Sequence, residues 1–162
     1  MRYLSILFFI SFFANSAQET IAQGPFKVPG DDNYVTIKYS SDDSNCPLTL
    51  SIDKVNTESV VDKYCQEGAR PQIESVFFSK REHKPQVLIL VSWFNNHRAE
   101  NLMATYYKVY SYIKTGQIFV KDSKIDSDIN LSGFDGLVDG ENVTFKYKNA
   151  AEIKRYLLEK QQ

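Results

Sequence analysis

Histidine and cysteine, the side chains that most often build metal centres and covalent catalytic sites, are scarce: the 162-residue chain has two of each. His83 and His97 fall in predicted loops, and neither has companions at a spacing typical of a metal site. The motifs H-E-x-x-H, G-x-G-x-x-G, G-x-S-x-G and the P-loop do not occur. Ser92 lies inside a predicted strand, where a serine is an ordinary packing residue. We therefore predict no catalytic residue set and no metal site.

An excess of one charge sign is also missing, since 19 Lys and Arg residues oppose 20 Asp and Glu residues and the formal net charge is −1. A protein that binds nucleic acid needs a basic surface to neutralise phosphates. The same balance argues against electrostatic docking on an anionic membrane. We expect neither a nucleic-acid partner nor membrane attachment.

Long apolar runs are missing except at the start of the chain. Arg2 precedes the apolar run Leu4–Ala14, and small residues follow it. This layout is typical of a cleaved secretory signal peptide, and the run is shorter than the roughly 20 apolar residues that span a bilayer. No cysteine follows directly, so a lipid anchor is not expected. We predict a cleaved leader over residues 1–22 and one periplasmic or secreted domain over residues 23–162.

The two cysteines form a disulfide in this prediction. Cys46 and Cys65 are the only ones, and export to an oxidising compartment favours their pairing. A free thiol nucleophile is the less favoured alternative, because it needs a thiolate and a neighbouring base. The bridge closes a loop of roughly 20 residues, a constraint worth about 3 kcal/mol.

Alternation of apolar and polar residues predicts most of the chain as β-strands. The continuous apolar run Val87–Val91, which extends through Ser92 to Trp93 and Phe94, is typical of a central strand covered on both faces. Residues 95–104 are predicted as a polar loop. The predicted strands are Tyr34–Tyr39, Leu48–Asp53, Gln72–Ser79, Val87–Phe94, Thr105–Ile113, Gln117–Lys121 and Val143–Tyr147.

Two helices complete the predicted fold. The first begins at Asn56 or Thr57 and ends before Gly68, with Cys65 on its apolar face. The second begins at the capping residue Asn149 near the C-terminus. The sum is an α+β fold: one antiparallel or mixed sheet of six to seven strands with two helices packed on it, in a single domain with one disulfide. A propeller-blade-like meander over residues 72–121 is the alternative.

Residues 122–141 are rich in acids and have no clear periodicity, so we predict a solvated acidic loop. Asp126 and Asp128 begin like an EF-hand calcium loop. The pattern then fails, because Leu131 stands where the glycine belongs and Leu137 where the bidentate acid belongs. No cofactor is therefore expected, with calcium in this loop as the open alternative. A hydrolase that uses two of these acids is a second alternative.

Several strand segments resemble one group of small exported bacterial proteins. They are Ile73–Phe78, Val87–Trp93 and Tyr106–Tyr112, followed by Ser132–Gly136 and Phe145–Tyr147. The resemblance extends over residues 70–160. Several proteins of that group are periplasmic immunity proteins, which neutralise toxic effectors delivered, for example, by type VI secretion. The resemblance implies an immunity protein or inhibitor whose partner is an exported effector or a cell-wall hydrolase, and it carries over no binding residue.

Two segments are candidate contact regions for such a partner. One is the polar segment beside two aromatic residues near the end of the central strand; the other is the acidic loop, which suits a cationic active site. The candidate residues are Trp93, Asn95, Asn96, His97, Arg98, Asp126, Asp128 and Asp135. A non-enzymatic binding protein is the expectation. The alternatives are a secreted hydrolase and a carbohydrate- or ligand-binding module that uses Tyr106–Tyr112.

Overall fold

The computed structural model describes residues 20–54 and 59–160, which form two antiparallel sheets. The first, called the small sheet, has four strands in chain order. Its strands are β1 (Ile21–Lys27), β2 (Tyr34–Tyr39), β3 (Leu48–Asp53) and β4 (Val60–Tyr64).

The second sheet, called the large sheet, has six strands. They are β5 (Pro71–Arg81), β6 (Lys84–His97), β7 (Leu102–Thr115), β8 (Ile118–Lys121), β9 (Ser132–Val138) and β10 (Glu141–Val143). The order is β10-β9-β7-β6-β5, and β8 also pairs with β7. Strand β7 is bordered by β6 along one edge. Its other edge pairs with β9 through Met103–Lys108 and with β8 through Tyr112–Thr115.

Strand β6 is the centre of the fold because its sequence is apolar on both faces. Val87, Ile89 and Val91 pack against the small sheet, whereas Leu88 and Leu90 belong to the core on the opposite face. All five side chains are fully buried. The run of apolar residues thus places one strand between two cores, and the predicted central strand is confirmed.

A helical layer covers the second face of the large sheet. It comprises α1 (Ser123–Asp126), a 3₁₀ turn at Ile129–Leu131 and α2 (Ala150–Glu159). Asn149 caps α2, since its side chain accepts a hydrogen bond from the Glu152 backbone N–H at 3.0 Å. The apolar face of α2 is buried in the core that contains Leu88 and Leu90. The molecule therefore has three layers: small sheet, large sheet and helices.

A buried polar network joins the two sheets at one end. The Tyr112 hydroxyl donates to the Asp62 carboxylate at 2.7 Å and lies 3.1 Å from the Tyr64 hydroxyl. Lys121 forms an ion pair with the same carboxylate at 2.8 Å. Burial raises the pKa of the Tyr64 and Tyr112 hydroxyls, so both remain protonated and serve as donors. Strands β4, β7 and β8 are held together by these four side chains.

The predicted antiparallel α+β domain with one disulfide is confirmed, and Cys46 is bonded to Cys65. The predicted first helix is wrong, because Val60–Tyr64 forms β4; the start predicted at Asn56 or Thr57 lies outside the described residues. Residues four apart share a face in a strand as well as in a helix, so the apolar spacing fits both. The segment forms a strand because its backbone pairs with β3.

The predicted leader, residues 1–22, falls mostly on residues 1–19, outside the described residues, and stays a prediction; Ile21 and Ala22 lie in β1. Other boundaries differ from the predictions. Residues 122–141, predicted as one loop, contain α1, the 3₁₀ turn and β9. Of the predicted strand Val143–Tyr147, only Val143 lies in β10. Local sequence places these boundaries poorly because the elements are short and the strands depend on pairing with β7 or β9.

Candidate functional site

The helical layer covers only part of the large sheet and leaves one end of the face open. Side chains two apart along β6 point the same way, so Phe94 and Asn96 continue the face of Leu88 and Leu90 beyond the helices. Directly paired residues of antiparallel strands also share a face. Two rows across β6, β7 and β9 therefore define what we call the open face: Phe94, Thr105 and Asp135 in one row, and Asn96, Met103 and Leu137 in the next.

The centre of the open face is apolar and accessible. The Phe94 side chain is 56% exposed and that of Met103 is 43% exposed, although both stand on the two longest strands of the molecule. Leu137 is half-buried beside them. Aromatic residues and methionine are enriched at the cores of protein interfaces, and a sheet face presents them without loss of backbone freedom on binding.

The border of the open face is polar and carries few charges. A shallow cleft of about 260 Å³ adjoins Met103 and Leu137 and is also lined by Arg98 and Asn101. Asn96 stands exposed in the same row as Met103. Side-chain amides and one guanidinium thus surround an apolar centre, which is the usual arrangement of an interface core and its rim.

Asp135 lies at one side of the open face, where it binds the segment that precedes α2. Its carboxylate accepts hydrogen bonds from the Phe145 backbone N–H at 3.2 Å and from Lys148 Nζ at 2.9 Å. The bond to Asp135 raises the pKa of Lys148. The Phe145 ring stacks on Tyr107, with ring centroids 5.6 Å apart, and Gly133 leaves room beneath it. Asp135 therefore orders the chain before α2 rather than presenting a free charge.

Two of the predicted contact residues are buried. The indole N–H of Trp93 donates to the Cys65 carbonyl at 2.8 Å, and Asn95 donates to the Trp93 carbonyl at 3.2 Å. Gly68 lies so close to Asn95 that a Cβ at Gly68 would fall 2.1 Å from the Asn95 side-chain oxygen. The turn after β4 thus covers both side chains, so neither Trp93 nor Asn95 is available to a partner in this fold.

The remaining residues of that segment are exposed. Asn96 lies on the open face, His97 is the last residue of β6 and Arg98 opens the short turn to β7. The polar loop predicted over residues 95–104 is shorter in the structure. Strand β6 extends as far as His97 and β7 begins at Leu102.

The acidic residues do not form one surface. Asp126 is the last residue of α1 and Asp128 caps the 3₁₀ turn, so both belong to the helical layer, whereas Asp135 lies in β9. Lys108 Nζ is 3.6 Å from Asp126, and Lys160 Nζ is 2.7 Å from Asp128. The acids predicted to plug a cationic site are thus neutralised by lysines of the same chain.

Asp128 is held ionised by its neighbours. Burial opposes its ionisation, but hydrogen bonds from Lys160, Tyr156 and Asn130 outweigh burial and lower the pKa of Asp128. Its carboxylate accepts from the Tyr156 hydroxyl at 2.8 Å and from the Asn130 backbone N–H at 3.1 Å. The contacts tie the 3₁₀ turn to α2, which is a structural role.

The tyrosine-rich segment does not form an exposed platform. Tyr110 and Tyr112 are buried between the sheets, and Tyr106 and Tyr107 are half-buried on opposite faces. The geometry therefore disfavours Tyr106–Tyr112 as a ligand-binding surface. Within residues 20–54 and 59–160, no group of three or more His, Cys, Asp and Glu side chains is placed to hold a metal ion.

No family model, curated protein or solved structure matches the chain. Of the helices in the described part, none is long and apolar enough to cross a membrane. The class of protein therefore has to be inferred from the fold and its surface.

Phe94 is not among the predicted contact residues, although it adjoins the polar segment. Met103 and Leu137 are two further open-face residues that the sequence pattern did not identify. Both lie in segments predicted as loops, at residues 95–104 and 122–141. Their assignment requires the pairing of β7 with β9, which brings them side by side. The sequence signal that could have found them is the alternation of Leu102, Ala104 and Tyr106 with Met103 and Thr105.

Proposed function

We propose that the chain is an exported binding protein that neutralises a toxic effector or a cell-wall hydrolase by forming a complex through the open face. The observation that carries this proposal is the exposure of Phe94 and Met103 at the centre of a sheet face that the helices leave uncovered. Large apolar side chains grouped on the surface of a folded domain mark an interaction site.

The character of the surface favours a protein as the partner. An apolar centre with a border of Asn96, Asn101 and Arg98 resembles the core and rim of a protein interface. The face lies on paired strands, so its shape exists before binding and little conformational entropy is lost. Neutralisation by occlusion needs only such a rigid surface and no catalytic group.

Export is supported by the disulfide and by the N-terminal pattern. A structural disulfide persists in an oxidising compartment, and Cys46 is bonded to Cys65. The Thr20 carbonyl accepts a hydrogen bond from the Tyr39 N–H at 2.9 Å, and Ile21 begins β1. We infer cleavage before Thr20, since a leader of 22 residues would remove part of this strand.

The test is a binding assay. Its probe is the protein encoded by the gene that lies next to the gene of this chain in the genome. Phe94→Arg places a charge at the centre of the open face and is expected to weaken the complex by about 2 kcal/mol or more, roughly thirtyfold in Kd. Tyr39→Arg is the matched control, because Tyr39 is 54% exposed on the small sheet. Both variants should keep the unfolding midpoint of the parent chain.

Different outcomes test the location of the interface and the proposed function. If Phe94→Arg and Tyr39→Arg bind as the parent does, the open face is not the interface. If the parent chain itself neither binds nor inhibits the neighbouring gene product, the proposed immunity function is refuted for that partner.

A further inference from the structure

A second cleft lies at the far end of β6 from the open face. It has a volume of about 310 Å³ and is bounded by α1, the end of α2 and the β5–β6 hairpin. Gln86 is eight residues before Phe94 on the same strand, which is about 26 Å at the usual rise of a strand. The two sites are therefore separate, and binding at one does not require the other.

The inner end of the cleft contains a buried amide with an unused acceptor. Gln86 is only 1% exposed, and its Nε2 donates to Ser111 Oγ at 2.9 Å and to Asp122 Oδ2 at 3.3 Å. An ionised carboxylate only accepts, so these contacts fix which end of the amide is nitrogen. The Gln86 Oε1 atom has no hydrogen-bond partner among the described residues. A buried carbonyl oxygen without a donor is unfavourable, so a ligand that supplies a donor is stabilised here.

The polar lining of the cleft consists of three basic side chains, Arg81, Lys124 and Lys160, and the carboxylate of Asp128, in addition to Gln86. Arg81 is paired with Asp122, and Lys160 with Asp128. Lys124 is exposed and forms no ion pair within the described part of the chain. It therefore provides a positive charge that a ligand can use without breaking an existing contact.

The remaining wall of the cleft is apolar. Ile125 of α1 and Leu157 of α2 line it. The volume is at the lower limit of the roughly 300–1,000 Å³ of ligand sites, which suits a small molecule. The ligand must therefore combine an anionic group, an N–H or O–H donor and a short aliphatic part.

We propose that this cleft binds the C-terminal end of a short aliphatic peptide. The terminal carboxylate contacts Lys124, a peptide N–H donates to Gln86 Oε1, and the aliphatic side chain packs on Ile125 and Leu157. Because Gln86 Oε1 is buried in the free chain, this contact requires a local rearrangement around Gln86 as the peptide binds. Each of the three groups of the ligand thus contacts the part of the cleft with complementary chemistry.

The experiment titrates the folded, oxidised protein with the dipeptide alanyl-valine and follows the Gln86 side-chain amide by NMR. The expected result is a saturable shift of that amide. C-terminal amidation of the dipeptide should weaken binding at least threefold, because it removes the carboxylate that contacts Lys124. Lys124→Gln should have an effect of the same size on the free acid and no effect on the amidated dipeptide. Lys27→Gln, on the exposed edge of the small sheet, is the matched control and should bind as the parent does.

Three results would overturn the proposal. One is the absence of a saturable shift up to about 10 mM dipeptide, a limit that corresponds to very weak binding. Another is an equal response to acetate alone, which would mark a simple anion site. The third is equal binding of the acid and the amidated dipeptide. None of these results depends on whether the open face binds a protein.

Discussion

Removal of one buried hydroxyl, in Tyr112→Phe, tests whether the polar network between the sheets stabilises the fold. The Tyr112 hydroxyl donates to Asp62 at 2.7 Å, so the Tyr64 hydroxyl is the donor in the 3.1 Å contact between the two tyrosines. Phenylalanine at this position leaves the hydroxyl of the fully buried Tyr64 without an acceptor. Asp62 keeps its ion pair with Lys121.

The expected loss of stability depends on what each variant leaves behind. Losing a hydrogen bond costs less than leaving a buried hydroxyl without a partner. Tyr112→Phe should lower the free energy of unfolding by about 1–3 kcal/mol, because a buried donor is left unsatisfied. Tyr64→Phe should cost only about 0.5–1.5 kcal/mol, since the Tyr112 hydroxyl keeps Asp62 as its acceptor. The double variant has no orphaned hydroxyl, so its cost should be less than the sum of the two by about 1 kcal/mol.

The assay is denaturant unfolding of the oxidised protein, followed by tryptophan fluorescence. Trp93 is the only tryptophan and is fully buried, so it reports on the core directly. Tyr39→Phe is the control and should change stability little, because Tyr39 is the last residue of β2 and is 54% exposed. The reasoning is refuted if the costs of the two single variants add in the double variant to within about 0.5 kcal/mol, because the hydroxyls would then act independently.

Three further predictions concern the disulfide, one carboxylate and one glycine. Replacing Cys46 and Cys65 together by serine should cost about 3 kcal/mol in denaturant unfolding, and an unchanged midpoint would contradict the bridge as a source of stability. The pKa of Asp128 is lowered in the fold, so its contribution is complete above the unfolded-state value of about 3.9 and is lost as the pH falls through the lower folded-state pKa. Asp128→Asn should therefore flatten the fall of stability below about pH 4, and an unchanged acid profile would argue against this role. Gly133→Ala places a Cβ 3.0 Å from the Phe145 ring and should cost about 1–3 kcal/mol in thermal unfolding; equal stability would mean that the ring moves freely.

Strand existence could be predicted well where the sequence alternates or is continuously apolar. The run from Val87 predicts a strand buried on both faces, and β6 is that strand. The Asn149 cap likewise predicts α2, because its side chain satisfies a backbone donor within the same turn. Both signals are local, so no distant pairing is needed to interpret them.

The candidate site could be predicted only in part. Asn96 and Arg98 are exposed where the polar segment places them, but Trp93 and Asn95 are covered by a turn that follows another strand. Nothing in the residues around Trp93 indicates that the Cys65 carbonyl will be its partner. Burial of a side chain depends on what lies above it, which the neighbouring sequence does not contain.

The sequence alone predicted the disulfide, since export favours the pairing of the two cysteines, and it predicted the central strand and the terminal helix through local pattern and capping. Only the tertiary structure decided that Val60–Tyr64 is a strand, because residues four apart share a face in both conformations and the pairing with β3 selects one. It also decided the open face. Phe94 continues the same alternation as Leu88 and Leu90 and differs from them only because the helical layer ends before reaching it.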